Sequence, residues 1–215
     1  MTSRIAVLAS GGGSNLQAIL DHFDALGDRR GGSVVVVGTD RSTAGALERA
    51  ERGGIPSLVI APEARDGAQS IDRLIDEHGV DLIALAGYVK MIPTHIVSRF
   101  EGRLVNVHPA LLPAFGGRGM YGNRVHHAVI KSGARVSGVT VHFVDAGVDT
   151  GPIIAQKKVE IRDSDSVATL GRRQFEAAVP LLLHTVRMLE NGRQSPFDEP
   201  DPELAQFSAR YCRQL

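Results

Sequence analysis

The chain has almost no cysteine: Cys212, close to its end, is the one thiol among 215 residues. That excludes an intrachain disulfide and a cysteine-built zinc site, and a reducing, cytoplasmic setting is the expectation. Excess charge of either sign is missing too, since 24 basic side chains face 24 acidic ones. Binding a nucleic acid ordinarily needs a basic face to neutralise phosphates, so no nucleic-acid partner is expected. One small anion is a different matter, because a few backbone amides can hold it. Long apolar runs are also lacking. The run near the start, Ile5–Ala9, is too short for a signal segment, and nothing later approaches a membrane span.

What the sequence does have is ordinary globular composition, 43% hydrophobic and 22% charged. Its length suits one domain, expected over residues 1–190, with 191–215 as a C-terminal extension. Short apolar runs recur at Arg4–Ala9, Val34–Gly38, Leu58–Ile60, Leu82–Ala86 and Leu104–Val107. Between them lie helical spacings over Leu16–Leu26, Ala44–Arg52, Ile71–His78 and Pro93–Phe100. Continuous Val/Ile/Leu runs suit strands buried on both faces, and strand–helix alternation gives right-handed βαβ units. The expectation is an α/β fold: a mostly parallel, twisted sheet of about seven strands with helices on both faces. Its N-terminal half, about 1–100, reads as Rossmann-like, and about 101–190 as a second half of the same domain.

Beyond residue 107 the pattern changes. Residues 108–122 are rich in glycine and proline and read as a loop. A helix is expected over Asn123–Ser132, with Asn123 as its cap. Val136–Val144 and Pro152–Ile161 read as two antiparallel strands joined by Asp145–Gly151. A long helix should run from Ser166 to Leu189, kinked at Pro180.

Two segments carry chemistry. The turn Ser10-Gly11-Gly12-Gly13-Ser14-Asn15 follows the first strand and opens the first helix. Glycines there admit close backbone approach, and the free amides of a helix start favour an anion. Three readings compete: a phosphate monoester site at Gly12, Gly13, Ser14 and Asn15; a dinucleotide site with Asp40 as the ribose acid; or a turn that merely needs glycine. Leu16 stands where the dinucleotide fingerprint wants its third glycine. The second segment is Asn106-Val107-His108-Pro109. Residues two apart on a strand share a face, so Asn106 and His108 project together at the end where open α/β sheets bind ligands. An amide beside an imidazole suits a reaction that forms an oxyanion while a proton moves. Gly87 offers a close-approach position at the same rim, and Asp149 is either a carboxylate over it or an Asx-turn residue.

Taken together, Ser10–Asn15, Leu104–Pro113 with its Asn-Val-His-Pro-Ala-Leu-Leu-Pro, and Val139–Val144 continuing through Asp149-Thr-Gly-Pro152 resemble the folate-dependent formyltransferases. Ala86–Ile92 and Gly45–Ala50 add to the likeness, which covers about residues 4–190. The early Gly-x-Gly-Ser-Asn is similar to the branch acting on glycinamide ribonucleotide. The resemblance implies transfer of a formyl group from 10-formyltetrahydrofolate to the amine of that ribonucleotide, in purine biosynthesis, without a metal. It implies that Asn106 binds the oxyanion, His108 moves a proton, and Asp149 orients His108 or a water. Phosphate would lie at Gly12–Asn15, and ribose and glycinamide near Gly87, Pro109, Gly119 and Glu176. Folate would line against Val89, Lys90, Met91, Ile92, Val144 and Val148. Both partners are then small molecules, and a homodimer is left open.

This sequence departs from that pattern at Lys90, where arginine is frequent, in its longer 115–122 loop, and in the spacing from Glu176 to Pro180, one residue short. His126-His127 point in different directions on a helix and make no metal pair. His142 faces the side of its strand opposite Val141 and Phe143, where the family also has histidine, and Arg172-Arg173 read as a solvated helix face. Formyltetrahydrofolate hydrolases and tRNA formyltransferases carry extra domains, so from this length neither is the expectation. A non-catalytic nucleotide-binding regulator is the rival of another class.

Overall fold

The computed structural model describes residues 2–27, 31–60 and 66–190. The expected extension over 191–215, with Cys212, lies outside the described residues. Seven strands form one sheet in the order β3-β2-β1-β4-β5-β6-β7. They are β1 (Ser3–Leu8), β2 (Gly32–Thr39), β3 (Ser57–Val59), β4 (Leu82–Leu85), β5 (Leu104–His108), β6 (Val136–Phe143) and β7 (Ile153–Glu160). The first five pair in parallel, while β5–β6 and β6–β7 are antiparallel, so the expected mixed α/β sheet is present.

The alternation along β1 and the residue after it shows why Ile5–Ala9 carries no polar residue. Ile5, Val7 and Ala9 face one apolar layer, with α1 (Ser14–Leu26), α2 (Gly45–Arg52) and α6 (Val167–Glu190). Ala6 and Leu8 face the other, with α3 (Asp66–Glu77) and α4 (Thr94–Arg99). A strand covered on both sides must be apolar throughout. The remaining helix, α5 (Asn123–Lys131), packs Val125 and Val129 with Leu170 of α6. Strand order reverses between β1 and β4, and the C-terminal ends beside such a reversal are where a crevice opens.

One local expectation is corrected. Gly122, not Asn123, stands at the N-cap of α5, and no side chain caps it. Helix α6 runs on through Pro180 without a break. An interior proline costs about 3 kcal/mol. Val179, Leu182, Leu183 and Val186 around it are each 1% exposed; at about 1.5–3 kcal/mol per buried side chain, their burial outweighs it. Ser166 opens this helix as expected, its Oγ accepting from Thr169 N at 3.2 Å.

Candidate active site

Strand parity and antiparallel pairing build the centre of the site. Asn106 and His108 lie two apart on β5, and the β5–β6 register sets them opposite His142 and Thr140. Asn106 Nδ2 lies 3.1 Å from His142 Nε2, while His142 Nδ1 lies 2.7 Å from the Phe143 carbonyl. A carbonyl only accepts, so His142 carries its proton on Nδ1 and accepts from Asn106 through Nε2. That fixes the amide with its nitrogen towards Asp149, whose Oδ1 is 3.5 Å away. A contact of that length is weak, so this second N–H can turn to a developing oxyanion at little cost.

His108 is held in the same way. Its ring is 3% exposed, and Nε2 donates to the Phe115 carbonyl at 2.9 Å. Nδ1 therefore bears the lone pair and is the atom that can take a proton, 3.5 Å from Asp149 Oδ2. Burial pushes the His108 imidazole below the usual histidine range, against the pull of Asp149 and the Phe115 carbonyl, and His142 adds to the lowering. For Asp149, burial opposes ionisation, yet His142, His108 and the Gly117 N–H together hold the carboxyl below the ordinary range. The Gly117 N–H donates to Oδ2 at 3.0 Å. The resting state is a neutral imidazole beside a carboxylate, which suits an acceptor whose charged form is stabilised once it appears.

Thr140 fixes the loop that follows His108. Its Oγ1 donates to the Ala110 carbonyl at 2.7 Å and accepts from Leu112 N at 3.0 Å. From α6, Gln174 Nε2 reaches the Pro109 carbonyl at 2.7 Å. The carbonyl next to His108 is thus anchored from the helix layer.

The glycine-rich turn sits at the neighbouring strand end. Gly13, at φ 72°, precedes the first turn of α1, and a Cβ there would lie 2.8 Å from Ala46 Cα of α2. Only glycine lets the two helices meet so closely. Arg49 of α2 donates through Nε to the Gly12 carbonyl at 2.7 Å and through Nη1 to Gln17 Oε1 at 3.0 Å. The turn is tied across to the end of β4 as well, by Ser10 N to the Gly87 carbonyl at 3.1 Å and Val89 N to Ser10 Oγ at 3.0 Å.

A cavity of about 680 Å³ joins these parts. Asn106, His108 and Asp149 line it, as do Ser14 and Asn15 at the turn and Gly87, Pro109 and Gly119. Asn15 Oδ1 is buried without a hydrogen-bond partner. The expected folate-side residues Val89, Lys90, Met91, Ile92, Val144 and Val148 line it too; Met91 is 57% exposed while Ile92 is buried. Gly12 and Gly13 lie in the turn behind the lining.

Glu176 is not brought to the cavity. Its carboxylate lies 3.4 Å from Arg172 Nε, and α6 presents Gly171, Gln174, Phe175 and Ala178 instead. Asp40 is also outside the lining; it is buried beside Tyr88, whose hydroxyl burial and then the Asp40 charge push up to about 12. Arg173 does not belong to a solvated face, because it is paired with Asp165 at the start of the helix. His126 and His127 diverge as expected, one buried and one exposed. Sequence reasoning undervalued His142 and missed Gln174 and the Phe115 carbonyl. Only His142 had a signal, its place on a predicted strand facing opposite Val141 and Phe143; its pairing with Asn106 comes from the structure.

Comparison with known proteins bears on what this arrangement is. The formyl transferase family model matches residues 3–186. A chloroplastic phosphoribosylglycinamide formyltransferase of Arabidopsis thaliana is 43% identical over 85% of this chain, which spans 64% of that protein's length. The Bacillus subtilis phosphoribosylglycinamide formyltransferase is 38% identical over 79% of this chain and 86% of its own. Among solved structures, glycinamide ribonucleotide transformylase 1 of Symbiobacterium toebii superposes with a TM-score of 0.81 at 39% identity, covering 89% of each chain. With a family match over nearly all described residues and the amide, imidazole and carboxylate gathered at one strand end, the chain belongs to the formyl transferase family.

Proposed function

We propose that the chain transfers the formyl group of 10-formyltetrahydrofolate to the amine of glycinamide ribonucleotide. The observation that carries this is one cavity with acyl-transfer groups, Asn106, His108 and Asp149, beside an anion-type turn at Ser14–Asn15. Both relatives quoted above are named as phosphoribosylglycinamide formyltransferases, which supports the group transferred and its acceptor.

The substrate amine attacks the formyl carbon, a C–N bond forms, and the carbonyl oxygen takes the negative charge. Asn106 Nδ2 donates to that oxygen, the role in which a fixed donor is most effective. The amine proton passes to His108 Nδ1, and the imidazolium so formed faces the Asp149 carboxylate. Collapse of the intermediate breaks the bond to the folate nitrogen, which takes the proton held by His108 and leaves as tetrahydrofolate, returning the imidazole to its neutral form. At the turn, the backbone amides of Gly12–Asn15 hold the phosphate and Arg49 holds the Gly12 carbonyl away from it. Apolar groups of Ile92, Val144 and Val148 pack against the pterin. No step calls for a metal.

The test is a spectrophotometric assay of folate product with both substrates. Product that depends on the ribonucleotide is the expected result. Folate product formed equally without the ribonucleotide would make the protein a hydrolase, and no product at all would overturn the enzyme reading.

A further inference from the structure

Gln174 has every polar atom committed. Its Nε2 reaches the carbonyls of Pro109 at 2.7 Å and Gly138 at 2.8 Å and Ser137 Oγ at 3.0 Å. An amide nitrogen has two hydrogens, so three acceptors over-determine its orientation. Oε1 is left facing His126 Nδ1 at 2.6 Å. An amide oxygen only accepts, so His126 carries its proton on Nδ1, and Nε2 of the neutral ring is an acceptor. Burial, the largest influence, keeps the ring below the usual histidine range despite the Gln174 bond.

That acceptor is left uncovered by a glycine. His126 and Gly171 both line the cavity, and a Cβ at position 171 would stand 3.1 Å from Nε2 and 3.2 Å from Cδ2. Any side chain there would press on the ring edge that bears the lone pair. Nε2 makes no hydrogen bond among the described residues. The rest of this wall is Phe175 and Ala178, apolar, and the committed Gln174. The wall spans the two ends of the site. Gln174 grips the carbonyl beside His108, while Phe175 packs into the layer that holds α1 behind the glycine turn. A ribonucleotide reaching from Ser14–Asn15 to Asn106 lays its sugar along it.

We propose that His126 Nε2 accepts a hydrogen bond from a sugar hydroxyl of the ribonucleotide, with Gln174 and Gly171 as the positioning residues that set its tautomer and keep it open. This rests on reading the cavity as a ribonucleotide site. It assigns sugar recognition to α5, in place of the carboxylate of Glu176.

The direct test uses the unmodified protein labelled with nitrogen-15 at histidine, titrated with ribose 5-phosphate and, separately, with inorganic phosphate. The His126 Nε2 resonance, located by its loss in His126→Phe, is expected to move with the sugar phosphate and stay with phosphate alone. No movement with ribose 5-phosphate at saturation overturns the proposal, as does equal movement with both. Kinetics give a second reading: Gly171→Ala should raise KM for the ribonucleotide about 5- to 15-fold, the loss of one hydrogen bond. KM for 10-formyltetrahydrofolate should be unchanged. Equal weakening of both substrates would mean a merely structural role. Formyl transfer failing while the resonance still moves would sink the activity reading and leave the sugar contact standing.

Discussion

Phe115 and Asp149 grip the His108 imidazole from its two opposite nitrogens, and both do so from left-handed backbone. Phe115 has φ 57° and Asp149 φ 58°, the two non-glycine residues in that region among those described. Such a conformation costs of order 1–3 kcal/mol each and persists where surrounding contacts over-determine it. At Asp149 these are Gly117 N–H, Asn106 Nδ2 and the two imidazoles. The strain is confined to the residues that fix the tautomer and charge of the ring.

Removing the donor should separate chemistry from binding. Asn106→Ala is expected to lower kcat by about 10²–10³, the usual effect of losing one oxyanion donor. Ribonucleotide affinity by calorimetry should stay within about threefold of wild type, because the phosphate end is untouched. A kcat within tenfold of wild type would take Asn106 out of this role.

Asp149→Asn should move the pH profile in a definite direction. The carboxylate is the main influence raising the His108 imidazole against burial. Without it the ring becomes still harder to protonate, so the acid limb of kcat/KM shifts to lower pH while kcat falls. A limb shifted upward would show that some other group titrates there.

Stability should fall on acidification below about pH 6.5, the ordinary histidine value. His108 and His126 both sit lower than that in the fold, so the unfolded chain binds more protons and stability is lost as pH drops through the folded values. Asp149, also lowered, adds a further loss only at pH below the ordinary aspartate range. Melting temperatures across pH 8 to 5 test this, and His126→Phe should flatten the slope. A melting temperature that rises on acidification contradicts it.

Gly13→Ala combines positive φ with a 2.8 Å approach to Ala46 Cα. Strain of about 1–3 kcal/mol corresponds to a melting point lower by about 3–10 °C for a domain of this size. KM for the ribonucleotide should rise as α1 and α2 part. An unchanged melting point would mean that the turn relaxes freely.

Gln174→Leu strands the carbonyls of Pro109 and Gly138 and the His126 Nδ1–H at once. Each buried orphan costs about 1–3 kcal/mol, so a loss above about 2 kcal/mol is expected in denaturant unfolding. Gln174→Glu keeps the shape but cannot donate, and should be no better at pH 8.

Much of this was written in local patterns. Strands β1, β2, β4 and β5 were legible because burial on both faces forces continuous apolar runs, and the shared direction of Asn106 and His108 follows from parity alone. The role of Asp149 came only with the family resemblance, since an Asx turn would use the same residue. The Asn106–His142 bond depends on the register of an antiparallel pair distant in sequence, which no local pattern states. Glu176 shows how sharply helix geometry discriminates: one position rotates a side chain by 100°, enough to exchange the cavity for Arg172. Gln174 resembles any polar residue on an amphipathic helix until its four partners are seen.

The acceptor for His108 Nε2 is a main-chain carbonyl, and every residue type carries one. What the 108–122 loop must inherit is therefore a path through space and not a side chain. Substitutions at position 115 that tolerate the left-handed turn leave the contact intact and pass unseen by selection on catalysis. A single inserted residue, chemically innocuous, turns the carbonyl away and frees the ring to take the other tautomer. Divergence between residues 108 and 115 should accordingly run through changes of residue type at constant length, whereas the stretch after Phe115 is free to lengthen as it does here.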